Sequence, residues 1–344
     1  MKTRHFLMGF TPVQNELSSV TGEYAYRKLS AQADIINHHF DNGVPWEESL
    51  SGTEYDSRIV ADWTVRKERV RTGQKTYVSV TPINAARNGL AARRGSRDNM
   101  PLQAPWSNYS FNDEAVKTAY LNYCKRVIDF FHPDYFAMSV EANLLYLFKP
   151  AMWNDYLGLH EYIYRQLKAI YPDLPVFTTV AGGPMLEGYL KDNDHVQQRL
   201  AAMQVLEFSD DYALSFYPNP SAYGAEAHPV NVFDELFSIS AKPLIVAETG
   251  YTGQKVPITA GTRLTAFQPD AVQQQKFVDD LLSASEKWKA EFVIWFTPAE
   301  YSQEVATLEP AALARREAGL ADANGIPRTA LNSWVDWFRR RVVE

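Results

Sequence analysis

Two glutamates stand where a globular chain rarely puts them. Glu141 interrupts the apolar run Phe136–Leu145, and Glu248 interrupts the run Leu244–Gly250. A carboxylate inside a buried strand must be compensated or used. For one such group a salt bridge, or a place at the rim of the fold, is explanation enough. Two of them at matching strand ends point to paired-carboxylate chemistry. Carboxyls about 5–5.5 Å apart across a sugar support retaining glycoside hydrolysis, whereas about 6.5–9.5 Å leaves room for the water of an inverting reaction. One carboxyl must then be a protonated acid and the other an ionised nucleophile.

Other polar and aromatic side chains gather at similar places. His38 and His39 adjoin, so strand alternation lets at most one face inward. His39 and Asp41 are read as binding sugar hydroxyls, with Trp46 as a stacking wall; the alternative is a packed histidine at the rim. Asn84 could reach a further hydroxyl. Glu300 and Tyr301 line or merely solvate the cleft rim. The segment Ala85–Phe111 carries Arg87, Arg93, Arg94 and Arg97, either a solvated loop or a reader of an acidic or highly hydroxylated glycan. No second His or acid pair recurs at ligand spacing, so neither a metal site nor any cofactor is expected.

The elements that must position these groups alternate along the chain. Eight short apolar runs read as strands: Phe6–Pro12, Ala33–Asp41, Thr76–Asn84, Tyr135–Asn143, Pro175–Gly183, Asp211–Asn219, Pro243–Tyr251 and Glu291–Tyr301. Several are near-continuously hydrophobic, as strands buried on both faces must be. Helical patterns lie between them at Arg58–Arg71, Asp113–Phe131, Met152–Tyr171, His195–Phe208, Ala271–Lys289 and Thr329–Arg341, with an extra helix at Pro310–Ala318. This is the arithmetic of a single-domain (β/α)8 TIM barrel with long loops after its strands, spanning 1–344. A doubly wound sheet is disfavoured, because the first strand ends Gly9-Phe10-Thr11-Pro12 with no glycine-rich phosphate turn.

Composition agrees. The chain has 344 residues, 46 % apolar and 22 % charged, which excludes disorder. A net charge of −7 argues against general nucleic-acid binding. No apolar stretch is long enough for a membrane helix. The one cysteine, Cys124, cannot form an intramolecular disulfide. No signal-type run follows Met1, so the expected location is cytoplasmic for a full chain, or periplasmic or secreted if a signal peptide was trimmed. Oligomeric state is not readable. Aromatics reach 13 %, with Trp46, Trp106, Tyr217 and Trp295 at or beyond strand ends and Trp63, Trp153, Trp288, Trp334 and Trp337 on helices as core.

Glutamates ending the fourth and seventh strands of such a barrel resemble glycoside hydrolase clan A. Within it the sequence is most similar to family 53, the arabinogalactan endo-β-1,4-galactanases. Ser215-Phe216-Tyr217-Pro218, Lys242–Tyr251, Trp295, and the Gly319-Leu320 and Asn324-Gly325 pairs carry the likeness. The resemblance implies a retaining β-glycosidase acting on an oligo- or polysaccharide. Glu248 would be its nucleophile, Glu141 its acid/base, Tyr217 the donor that orients and ionises Glu248, and Trp295 the floor of a sugar subsite. Clan members place an Asn directly before the acid/base. Here that position is Val140, and Asn143 is read as sharing the Glu141 face by strand alternation. Two alternatives stay open: a non-catalytic glycan-binding barrel, favoured if one glutamate is sealed in a salt bridge, and a transglycosylase using the same pair.

Overall fold

The computed structural model describes residues 2–12, 27, 30–218, 231–254, 259–260, 263–264, 270–300 and 318–343. Eight of the strands build the barrel, in chain order: β1 (Leu7–Phe10), β2 (Ile35–Phe40), β3 (Lys75–Val80), β4 (Tyr135–Ser139), β5 (Val176–Ala181), β6 (Tyr212–Phe216), β7 (Leu244–Thr249) and β8 (Phe292–Trp295). They close into one parallel barrel in sequence order, with β8 pairing both β7 and β1. All eight expected strands form, each somewhat shorter than its apolar run. The helices are α1 (Trp46–Ser51), α2 (Ser57–Glu68), α3 (Glu114–Phe131), α4 (Asn143–Phe148), α5 (Trp153–Ile170), α6 (His195–Leu206), α7 (Val232–Phe237), α8 (Ala271–Lys287) and α9 (Thr329–Phe338). Short α1, α4 and α7 are additions to the expected plan. The helix expected at Pro310–Ala318 lies almost wholly outside the described residues.

The chain divides into two compact units, Met1–Ile36 with Gly182–His195 and Leu214–Glu344, and Asn37–Ala181 with Val196–Ala213. Within the first, Phe10 of β1 packs its ring on Trp334 of α9, and Trp295 of β8 packs on Phe277 of α8. Close approach matters at Gly9, where a Cβ would lie 2.1 Å from the Ile35 carbonyl oxygen. Within the second, Phe40 of β2 packs on Trp63 and Phe131, and Trp63 itself touches Tyr55, Tyr123 and Phe130. Trp63, Trp153, Trp334 and Trp337 are buried core, while Trp288 is half-buried with its indole donating to Asp234 at 2.6 Å. Burying side chains of this size is worth roughly 25 cal/mol per Å² of apolar surface.

Four sequence expectations change at this level. Trp46 is not a cleft wall. It opens α1, is fully buried, stacks on buried Trp106 at 5.3 Å, and donates its indole N–H to the Ala91 carbonyl at 2.8 Å. Trp295 is not a subsite floor. Its ring faces the helix layer, 6.0 Å from Phe277 and 6.5 Å from Trp334, and its N–H is taken by the Ala318 carbonyl. Asn143 is not strand-borne, since β4 ends at Ser139 and Asn143 begins α4, so strand alternation does not apply. Glu300 is not at a rim: it is buried and ion-paired with Arg328, whose other Nη reaches the Gly253 carbonyl at 3.1 Å.

Candidate active site

Each glutamate stands at the C-terminal end of its strand, the side on which barrel enzymes build their sites. Two residues past β4 the chain turns sharply, and Glu141 takes φ = +48° there, a left-handed conformation that an L-residue adopts only at a cost. The turn is held from β5. Glu141 donates its backbone N–H to Thr179 Oγ1 at 2.8 Å, and Ala142 donates to the Thr179 carbonyl at 3.0 Å. Fully buried Asn143 then staples the start of α4 to the end of β5. Its Nδ2 donates to the Ala181 carbonyl (3.0 Å) and Gln198 Oε1 (3.1 Å), and its Oδ1 accepts from Ala181 N (2.7 Å). With both N–H groups and the oxygen engaged and the side chain fully buried, this amide is not presented to a sugar hydroxyl. Asn143 therefore supports the turn that carries Glu141, and Val140, also buried, offers no amide.

The Glu141 carboxylate meets a cation. Arg87 Nη2 donates to Glu141 Oε2 at 3.0 Å, with the two side chains 9 % and 14 % exposed. Sequence reasoning grouped Arg87 with three other loop arginines and missed this contact. The turn that delivers it is built by Asn84, which lies four residues beyond β3 rather than closing it. Asn84 Nδ2 donates to Asn88 Oδ1 at 2.9 Å, its Oδ1 accepts from Asn88 N at 3.0 Å, and its carbonyl accepts from Arg87 N at 2.9 Å. The Asn84 amide is thus engaged in its own loop. Two more of the loop arginines are paired rather than solvated, Arg93 with Glu47 and Glu48 and buried Arg94 with Asp62 and Asp98, while Arg97 is exposed.

His38 and His39 separate as strand alternation requires. His38 faces the helices, 5.1 Å from the Phe131 ring, and burial pulls its pKa down to about 3. His39 is half-buried on the opposite face, with Nδ1 3.0 Å from Ser79 Oγ and Nε2 3.5 Å from Asp41 Oδ2. His39 and Asp41 are therefore neighbours, and the Asp41 side chain is 46 % exposed.

Glu248 is held differently. It lies within β7, half-buried, and the Tyr217 hydroxyl at the end of β6 donates directly to its Oε1. A hydrogen bond donated to a carboxylate favours its charged form. Tyr217 is itself fixed, because the Tyr189 hydroxyl donates to its carbonyl. Gly250 makes the packing possible: a Cβ there would lie 2.8 Å from the Phe296 carbonyl oxygen and 3.1 Å from Tyr217 Cε1. The aromatic ring beside this pair is half-buried Phe296, edge-on to Tyr217 at 6.4 Å. Phe296 follows Trp295 by one residue. The family resemblance pointed to the larger ring, but Trp295 packs on Phe277 and Trp334, and the register of β8 against β7 shifts between Val293 and Trp295. Among the described residues no group of three or more His, Cys, Asp or Glu could hold a metal ion. No helix among them is long and apolar enough to cross a membrane.

No family model and no curated protein matches the sequence. Solved structures do match. One is the GH53 catalytic domain of Ignisphaera aggregans, with a TM-score of 0.62 and 18 % identity, covering 98 % of this chain and 97 % of that one. The chain shares the TIM-barrel fold of solved glycoside hydrolases. A GH5_18 enzyme of Bifidobacterium longum superposes with a TM-score of 0.66 at 13 % identity over 99 % of this chain and 81 % of its own. The exo-β-1,4-mannosidase Op5Man5 of an Opitutaceae bacterium gives 0.63 at 14 % identity over 97 % of this chain, which spans 59 % of that enzyme. The expected distant likeness to clan A barrels, family 53 included, thus holds at the level of fold.

Proposed function

We propose that this chain is a retaining glycosidase, one catalytic barrel domain acting on a β-linked oligo- or polysaccharide. Glu248 is its nucleophile and Glu141 its acid/base. The observation that carries the reading is the Tyr217 hydroxyl donating to Glu248 at the C-terminal end of β7. A neutral donor that favours the ionised form while fixing the carboxylate's direction is what a nucleophile needs. In the first step Glu248 bonds to the anomeric carbon as Glu141 gives its proton to the departing glycosidic oxygen. In the second, Glu141 takes a proton from water as that water displaces Glu248. His39 and Asp41 are proposed to bind hydroxyls, and Phe296, in place of Trp295, offers a ring face to the sugar. The fold neighbours support the reading in kind, since their names include a β-mannosidase and a complex with Manβ1-4GlcNAc.

The Arg87–Glu141 ion pair favours a second reading, a barrel that binds a glycan without cleaving it. A screen of aryl β-glycosides and polysaccharides with wild type and Glu248→Gln separates the two. Hydrolysis by wild type, abolished in the variant, is expected. Binding without hydrolysis by either protein would overturn the catalytic reading. Products longer than the substrate would mark a transglycosylase.

A further inference from the structure

The proposed acid/base has a partner that suits it poorly. Of the loop arginines, Arg93 is committed to Glu47 (2.8 Å) and Glu48 (2.9 Å), and Arg94 to Asp62 (2.6 Å) and Asp98 (3.2 Å). Arg87 is aimed elsewhere. It is buried, its backbone sits at φ = +54°, and the reciprocal Asn84–Asn88 bonds fix the turn that presents it to Glu141. A guanidinium 3.0 Å from a carboxyl stabilises the charged form, while the first step of hydrolysis needs the acid. A site made for a neutral sugar gains nothing from a cation at that point.

We propose that Arg87 is a specificity-determining residue for a carboxylate-bearing substrate, a uronic-acid unit at the scissile bond. This rests on the reading of Glu141 as the acid. The planar guanidinium fork matches a carboxylate in two-point geometry. In the free protein Glu141 fills that role. An incoming uronate draws Arg87 towards itself and sets a new anion beside Glu141, so the cation that favours the Glu141 carboxylate is shared away and Glu141 binds a proton from solvent. Charge balances, with one anion gained and one proton gained. That proton goes to the glycosidic oxygen as the C–O bond breaks. A neutral sugar triggers no exchange, and Glu141 stays a paired carboxylate.

The test uses matched 4-nitrophenyl β-glucuronide and β-glucoside, and β-galacturonide and β-galactoside, with wild type, Arg87→Gln and Arg87→Lys. Wild type is expected to favour a uronide over its neutral partner by about 100-fold in kcat/KM, the scale of a charge-assisted contact. Arg87→Gln should lower that ratio at least tenfold, losing rate on the uronide and gaining it on the neutral sugar, while Arg87→Lys keeps part of the preference. A wild type that prefers the neutral partners, or an Arg87→Gln that slows both members equally, overturns the proposal. Calorimetric titration of glucuronate, galacturonate and mannuronate, each against its neutral sugar, reads recognition apart from turnover. A wild type that binds none of the three uronates, or an Arg87→Gln that binds them as tightly, also overturns it. A protein that binds a uronate through Arg87 but cleaves nothing keeps Arg87 as the uronate-recognising residue and loses the hydrolase reading together with the proton exchange at Glu141.

Discussion

Glu141 and Glu248 are the same residue type in two unlike settings. Glu248 belongs to a regular strand and meets a neutral phenol. Glu141 lies past the end of its strand, in a left-handed turn, and meets a cation. The contrast teaches that a regular strand is enough to place the proposed nucleophile, whereas the proposed acid/base sits in a turn built for it. That turn is held by Thr179 from below and Asn143 from the side. Backbone strain of this kind persists only where its surroundings over-determine it.

Breaking the Glu248 side first gives the largest effect. Glu248→Gln should lower turnover at least about 10^4-fold, measured under saturating substrate, with the protein still folded. Glu141→Ala should fall about 10^2–10^4-fold on substrates with poor leaving groups. It should still form the glycosyl intermediate from an activated aryl glycoside, and azide should restore turnover; no rescue would remove Glu141 from its role. Tyr217→Phe removes one donor to a charged group, a loss of about 1.5–3 kcal/mol, or roughly 10–150-fold in kcat. Thr179→Val tests the other setting at one remove and should cost kcat several-fold with little change in KM. If Tyr217→Phe proved milder than Thr179→Val, the contrast between the two sites would have to be reversed.

Stability tests separate support from chemistry. Asn143→Ala strands both backbone groups of Ala181 and should lower unfolding free energy by about 2–4 kcal/mol in denaturant melts. A variant as stable as wild type would return Asn143 to the list of sugar ligands. His38 is buried neutral at a pKa of about 3, against about 6.5 unfolded. The unfolded chain therefore binds more protons between those values, so His38 makes stability fall as pH drops from about 6.5 towards 3. His160, lowered to about 4, adds to the same slope. His38→Leu should flatten the slope by up to one proton; an unchanged slope would contradict its burial as a neutral ring.

Much of the barrel was legible because period and length are local properties. Eight apolar runs gave eight strands, and both glutamates fell at strand ends as their interruption of those runs implied. What the sequence hid was direction. Trp46 follows β2 and Trp295 ends β8, as cleft aromatics would, yet both rings turn into the packing, because a large ring beside helix side chains buries more area than one left open. Phe296 escaped notice because the family resemblance pointed to its neighbour Trp295, and only the packing shows that the residue just past β8 lies beside Tyr217. Arg87 looked like its loop neighbours, and only the Asn84–Asn88 turn distinguishes it.

The central claim, that Glu248 attacks the anomeric carbon, is tested most directly by trapping. The protein is incubated with 2-deoxy-2-fluoro glycosides bearing a good leaving group, and the adduct is mapped by intact-mass and peptide mass spectrometry. One sugar unit per chain, attached to Glu248 and absent from Glu248→Gln, is the predicted result. An adduct on another residue, or hydrolysis with inversion at the anomeric carbon, would contradict it.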